Sequence, residues 1–113
     1  MNKVLLIGRL TKDCELKHVG DEGTPLLNFT IAVQRPFVNS KGEREADFIP
    51  ISCWKKSVET MVPDLTKGRL VSVLGRINVR SYTNMNGERR YMTQVVAEQI
   101  NFMEHSKIIE EAN

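Results

Sequence analysis

Phe37, Phe48, Trp54 and Tyr82 stand where strands would alternate outward or hairpins would project, and basic residues surround them. The segment Asp47-Phe48-Ile49-Pro50-Ile51-Ser52-Cys53-Trp54 shows the pattern. At a strand's period of two, Ile49, Ile51 and Cys53 face one side, and Phe48, Pro50, Ser52 and Trp54 the other. The single tryptophan thus shares a face with a proline and a serine, and Lys55-Lys56 follow directly. Exposed aromatics beside cations suit stacking on unpaired bases and neutralising phosphates. Phe48 and Trp54 would stand about 20 Å apart at about 3.3 Å per residue, with room for several nucleotides between them. Phe29 and Phe102, by contrast, read as core.

These side chains need strands to present them. A first strand is expected from Asn2 to about Asp13, continuing toward Val19, with Val4-Leu5-Leu6-Ile7 covered on both faces and Gly8 marking a close backbone approach or a bend. Leu27, Phe29, Ile31 and Val33 alternate with polar or small residues in a half-buried second strand from about Pro25 to Gln34. A loop at Asn39–Gly42 leads to the third, Asp47 to Trp54. Val58, Met61, Val62 and Leu65 form the apolar side of a short helix over Lys55 to Leu65, weakened at its end by Pro63 and stopped at Lys67-Gly68. The fourth strand, Arg69 to about Tyr82, points Val71, Val73, Gly75, Ile77 and Val79 inward. Leu74, Arg76, Asn78, Arg80 and Tyr82 point the other way. Asn86-Gly87 signals a two-residue hairpin turn, and the fifth strand runs from about Arg90 to Met103.

A chain of 113 residues with 41% hydrophobic content is one domain able to bury a core. Its net charge of +2 does not by itself indicate a nucleic-acid partner. The distribution says more: between Lys67 and Arg90, Lys67, Arg69, Arg76, Arg80, Arg89 and Arg90 face only Glu88. Arg76 and Arg80 share the face of Tyr82 and are the leading phosphate contacts. Lys55 and Lys56 follow, then Lys12, Arg35, Lys67, Arg89 and Arg90. Cys14 and Cys53 lack metal-ligand spacing and read as reduced thiols; His18 and His105 read as isolated. No phosphate-binding glycine loop, nucleophile motif or metal-binding carboxylate cluster is present. The reading is of a non-enzyme without metal or cofactor. With no leader pattern and no membrane-length apolar stretch, the protein is expected to be soluble, cytoplasmic and nucleoid-associated.

Five strands with a helix between the third and fourth is the element order of an all-β OB-fold barrel, which commonly binds oligonucleotides. The motifs narrow this further. Asn2-Lys3-Val4-Leu5-Leu6-Ile7-Gly8-Arg9-Leu10-Thr11-Lys12-Asp13 resembles the opening of the bacterial single-stranded DNA-binding protein family. Asn28 to Val33 is similar to that family's second strand, and Lys67-Gly68 with Val71 and Val73 to Ile77 to its fourth. Arg80-Ser81-Tyr82 with Gly87 resembles the last hairpin, and Tyr91 to Ala97 the fifth strand. The resemblance spans residues 2–103.

It implies an OB-fold domain over residues 1–103 with a short polar tail, 104–113. The implied protein is a homotetramer that wraps single-stranded DNA without catalysis, in replication, recombination, repair or DNA transfer. It also assigns stacking to Phe37, Phe48, Trp54 and Tyr82. Three positions depart from the family pattern: Cys14 for a common proline, Ile49 for an occasional interface histidine, and Pro50 for a common polar or basic residue. Longer members end in an acidic tip that recruits replication and repair proteins, and recruitment by that route is expected to be absent. For Tyr82 the structural alternative is cross-strand packing against Tyr91. The rival functions are a protein-interaction OB module that binds nucleic acid weakly, and an RNA-binding OB domain.

Overall fold

Alternation of apolar and polar side chains carries most of the chain into strands. The structure, a computed structural model, describes residues 1–55 and 57–103. Lys56, His105 and the expected tail lie outside the described residues. The strands are β1 (Val4–Leu10), β2 (Glu15–Val19), β3 (Thr24–Val38), β4 (Arg44–Cys53), β5 (Leu70–Thr83) and β6 (Arg89–Phe102), with the helix α1 (Val58–Met61) between β4 and β5. The sheet runs β1-β5-β6-β4-β3-β2, and Arg9 and Leu10 of β1 pair with Ala32 and Ile31 of β3 to close the barrel.

The expected five strands are six because the first one breaks between Leu10 and Glu15. That break moves the helix to between the fourth and fifth strands without changing the residues it joins. The link is tied to the segment after the helix: the Cys14 amide donates to the Leu65 carbonyl at 2.9 Å, and the Lys67 amide to Asp13 Oδ1 at 2.8 Å. Gly8 does mark a close approach, since a Cβ there would meet the Ala32 carbonyl oxygen at 2.5 Å.

The core joins Leu27, Phe29 and Ile31 of β3 to Ile51 and Cys53 of β4, Val71 and Val73 of β5, and Val95 and Ala97 of β6. Val58 and Leu65, both fully buried, close one end. The helix is shorter than expected. Beyond Met61 the chain tightens into a 3₁₀ turn, Val62–Asp64, containing Pro63, whose ring and missing N–H cannot continue an α-helix. Phe102 is half-buried at the margin, with the Arg69 guanidinium 4.7 Å above its ring. Cys14 and Cys53 are free, and burial pushes both thiols up.

Two burial expectations are corrected. Leu5 and Ile7 are 68% and 49% exposed, so β1 is covered on one face only in the single chain. Ile77 and Val79 keep the inward parity of Val71 and Val73 but are exposed, because β5 runs past the end of the barrel there.

Candidate nucleic-acid interface

β4 and β6 run parallel and pair only at Ile51–Val95 and Ser52–Val96. Beyond that contact the β3–β4 and β5–β6 hairpins share no ladder, and a groove opens between them. Its walls include Asn28, Thr30, Pro50, Ser52 and Trp54 on one side and Arg80, Met92 and Gln94 on the other. Thr11, Lys12 and Asp13 from the β1–β2 link also line it. The cleft encloses about 360 Å³.

The register explains why these side chains converge. Thr30 pairs with Pro50, Asn28 with Ser52 and Ala32 with Phe48, so Phe48, Pro50, Ser52 and Trp54 share the outer face as expected. Arg76 opposes Val96, Asn78 opposes Gln94, Arg80 opposes Met92 and Tyr82 opposes Arg90, which sets these side chains on the same outer face. Trp54, 47% exposed, thus stands in one groove with Arg80 and Lys12. Tyr82 lies beside it in an adjoining recess with Ser81, Arg80 and Met92. Phe48 is exposed further along β4.

The other candidates are more dispersed. Phe37 is exposed but falls in the irregular stretch between the paired residues Gln34 and Val38, so Phe48's facing does not transfer to it. Arg35 carries a fork of bonds to Asp47, the shortest 2.8 Å, and one of 2.7 Å to Glu45. That pairing balances its charge on the hairpin itself and holds the Asp47 carboxyl below its ordinary value, chiefly through the hydrogen bond. Arg90 shares Tyr82's face but pairs with Glu88 at 3.1 Å. Arg89 lies on the opposite face, bonded to Ser81 Oγ at 3.3 Å. Lys67 is exposed and outside the groove lining; Lys55 lines a separate recess with Cys53, Ser57 and Glu98. His18 is not isolated: its Nε2 is 3.1 Å from Glu59 Oε1 on α1.

Tyr82 does not pack directly across from Tyr91. A two-residue Asn86-Gly87 turn would oppose the two tyrosines, but the loop is longer. Asn84 N donates to the Glu88 carbonyl at 2.9 Å, leaving Met85, Asn86 and Gly87 outside the ladder. That shifts the register by one, so Tyr82 faces Arg90 and Tyr91 faces Ser81 on the other side.

Sequence reasoning missed the polar floor of the groove: Asn28, Thr30, Ser52 and Gln94. Ser52 is 2% exposed, and its Oγ has no hydrogen-bond partner among the described residues. The even parity of Asn28, Thr30 and Ser52 signalled an outward face; the closeness of Gln94 came only from the parallel β4–β6 contact. Among the described residues no cluster of three or more His, Cys, Asp or Glu could hold a metal ion, and no helix is long and apolar enough to cross a membrane.

Comparison with known proteins places this geometry among relatives. A sequence model of the Single-strand binding protein family matches residues 1–103. Single-stranded DNA-binding protein 2 of Clostridium acetobutylicum is 52% identical over 107 residues, 95% of this chain and 80% of that protein. Single-stranded DNA-binding protein 1 of the same organism is 48% identical, over 95% of this chain and 97% of its own length. The single-stranded DNA-binding protein of Halalkalibacterium halodurans is 49% identical over 92% of this chain, which spans 61% of that relative. Among solved structures, a chain described as Plasmodium falciparum SSB complex with ssDNA superposes with a TM-score of 0.79 at 21% identity, covering 92% of this chain and 96% of that one. At that identity the likeness speaks for the fold, an OB-fold barrel.

Proposed function

The chain belongs to the Single-strand binding protein family, and from that premise we propose that it coats single-stranded DNA with little sequence preference and without catalysis. The observation that carries the reading is the groove that sets Trp54, Arg80 and Lys12 together beside Tyr82. A base stacks on an aromatic ring whatever its identity, while cations neutralise phosphates and release counterions. Trp54 and Tyr82 serve as the central platforms, with Phe48 and Phe37 extending them along the β3–β4 hairpin. Arg80, Lys12 and Arg76 take phosphates. No cofactor is required. The protein works in the cytoplasm on DNA exposed during replication, recombination, repair or transfer.

Assembly as a homotetramer is part of the proposal. Leu5 and Ile7 line the outer face of β1 beside Leu74 and Ser72, an apolar strip that a second copy would cover.

Trp54 is the only tryptophan, so intrinsic emission tests the reading. Titration with oligo(dT) should quench it, with log affinity falling linearly in log salt, and duplex DNA should quench it far less. Tight binding measured by another method with unchanged emission removes Trp54 from the site. No DNA binding at all leaves the protein-interaction reading, and preference for oligo(U) over oligo(dT) leaves the RNA one.

A further inference from the structure

Two rows of the sheet separate Trp54 from Phe48. Along the outer face of β4 they are Ser52 with its cross-strand partner Asn28, and Pro50 with Thr30. Gln94 stands across the groove from them, one residue before the parallel contact at Val95, and is itself paired with Asn78. A strand that bridges the two aromatic platforms lays its intervening nucleotides over this floor.

The floor is uncharged, and Asn28, Thr30, Ser52 and Gln94 each carry both a donor and an acceptor. Asn28, Thr30 and Gln94 are part-buried, and none of the three makes a side-chain hydrogen bond among the described residues. Each amide also stands beside a buried orphan. Ser52 Oγ lies across from Asn28 and Asn78 Oδ1 across from Gln94, and neither atom has a hydrogen-bond partner among the described residues. A buried polar group without a partner is destabilising, and a ligand that supplies one relieves the loss. Charge on the rim decides which part of a nucleotide fits. Glu15 of β2 pairs with Asn28 and lines the groove, so a phosphate over that row meets a carboxylate, whereas a base N–H meets an acceptor. Lys12 and Arg80, elsewhere in the lining, draw the backbone to themselves.

We infer that Asn28 and Gln94 hydrogen-bond the Watson–Crick edges of the bases that lie between Trp54 and Phe48. The inference rests on the single-stranded DNA reading above and deepens it. The edge of every base offers at least one donor and one acceptor. A side-chain amide offers the complementary pair, and turning it over exchanges the two. The same residue therefore matches O4 and N3–H of thymine or N3 and the N4 amino group of cytosine. Such contacts hold a base without selecting it. They do select its state, because in a duplex these edges are already taken by the opposite strand.

A short oligo(dT) in which difluorotoluene replaces every thymine base keeps the ring shape and the phosphates but loses the strong edge donors and acceptors. In competition against labelled oligo(dT), the unsubstituted protein should bind it about two- to tenfold more weakly for each edge bond lost, the net worth of a hydrogen bond. The slope of log K against log salt should stay the same, since no phosphate contact changes. Asn28→Leu with Gln94→Met exchanges both amides for apolar side chains of similar shape. That double variant should lose affinity for oligo(dT) and oligo(dC) alike, and should no longer favour oligo(dT) over the difluorotoluene strand. Thermal melts establish that it is folded. Should it unfold, Asn28→Ala and Gln94→Ala, each keeping one amide, should each weaken the preference. Equal binding of the two strands by the unsubstituted protein overturns the inference. So does a preference for oligo(dT) that survives undiminished in the folded variants, or a loss confined to one of the two bases. If the unsubstituted protein binds oligo(dT) and ignores the edge, only the inference fails; if it binds no oligo(dT), the single-stranded DNA reading fails and the inference with it.

Discussion

At the scale of single residues, the proposed function divides this surface into stacking and charge contacts. Trp54 offers a ring and makes no ion pair, so Trp54→Ala should cost about 1–3 kcal/mol of affinity, the range of one base–aromatic stack, and leave the salt slope nearly constant. Arg80 lines the same groove and is proposed as a charge contact; Arg80→Ala should then make the slope shallower by about 0.7. Losses should be alike on different base sequences, because backbone contacts carry no base information. Arg35 is the control. Its guanidinium is already held by Asp47 and Glu45, so Arg35→Ala should leave the slope unchanged. Titrations of the three variants at several salt concentrations check this; a reversed pattern would mean that the surface has been divided wrongly. The same pair makes a pH prediction. Arg35 lowers the folded-state value of Asp47 below its ordinary 3.8. The pair's stabilising contribution is therefore complete above the unfolded value and is lost as pH falls below it through the folded one. A carbon-detected NMR titration of the Asp47 carboxyl should give a midpoint below 3.8 that moves back up in Arg35→Ala.

Elements carry a motif that the residue scale hides. Asn39-Ser-Lys-Gly-Glu43 and Asn84-Met-Asn-Gly-Glu88 share the pattern Asn-x-x-Gly-Glu, and both close a hairpin the same way. In each, the asparagine Oδ1 accepts two backbone N–H bonds: from Lys41 and Glu43 at 2.9 Å, and from Asn86 and Glu88 at 3.0 and 2.9 Å. The fourth residue, Gly42 or Gly87, has φ of +78° or +79°, a conformation that costs an ordinary L-residue about 1–2 kcal/mol. Gly87→Ala should therefore destabilise by about that amount, read by thermal or denaturant unfolding, while Asn86→Ala should do little. Equal effects would show that the loop is not held in this geometry.

This motif also marks where the sequence was legible. Strand existence and the core faces of β3 and β4 follow directly from alternation, so Leu27, Phe29, Ile31, Ile51 and Cys53 were readable, and with them the outward parity of Phe48 and Trp54. Loop length was not, because Asn86-Gly87 is a strong two-residue signal and the bonds of Asn84 outweigh it locally. One residue of slip exchanged the partner of Tyr82. The break in the first strand was equally hidden, since the link is held by bonds from the Cys14 amide to the Leu65 carbonyl and from the Lys67 amide to the Asp13 carboxylate, between residues far apart in sequence. Gln94 entered the groove through a parallel strand contact that no local pattern encodes.

At the scale of the whole molecule, the apolar strip on β1 and the DNA groove use different residues of one sheet, so assembly and binding can be separated. Leu5 and Ile7 are exposed next to the half-buried Leu74, and none of the three lines the groove. A charge placed there must be desolvated if a second copy covers the strip, so Leu5→Asp with Ile7→Asp should give monomers by sedimentation at micromolar concentration, where the unsubstituted chain is expected to sediment as a tetramer. The monomer should keep its groove: a short oligo(dT) that fills one site should quench Trp54 with nearly unchanged affinity. A long oligo(dT) should behave differently. Several linked sites engage one strand at a high effective concentration, and such linkage raises apparent affinity by about 10²–10⁴ without any new contact. The monomer should lose that gain and bind long and short strands almost equally per site. Monomeric unsubstituted protein would defeat the tetramer. Loss of short-strand binding in a folded double variant would show instead that the groove is incomplete without its neighbour.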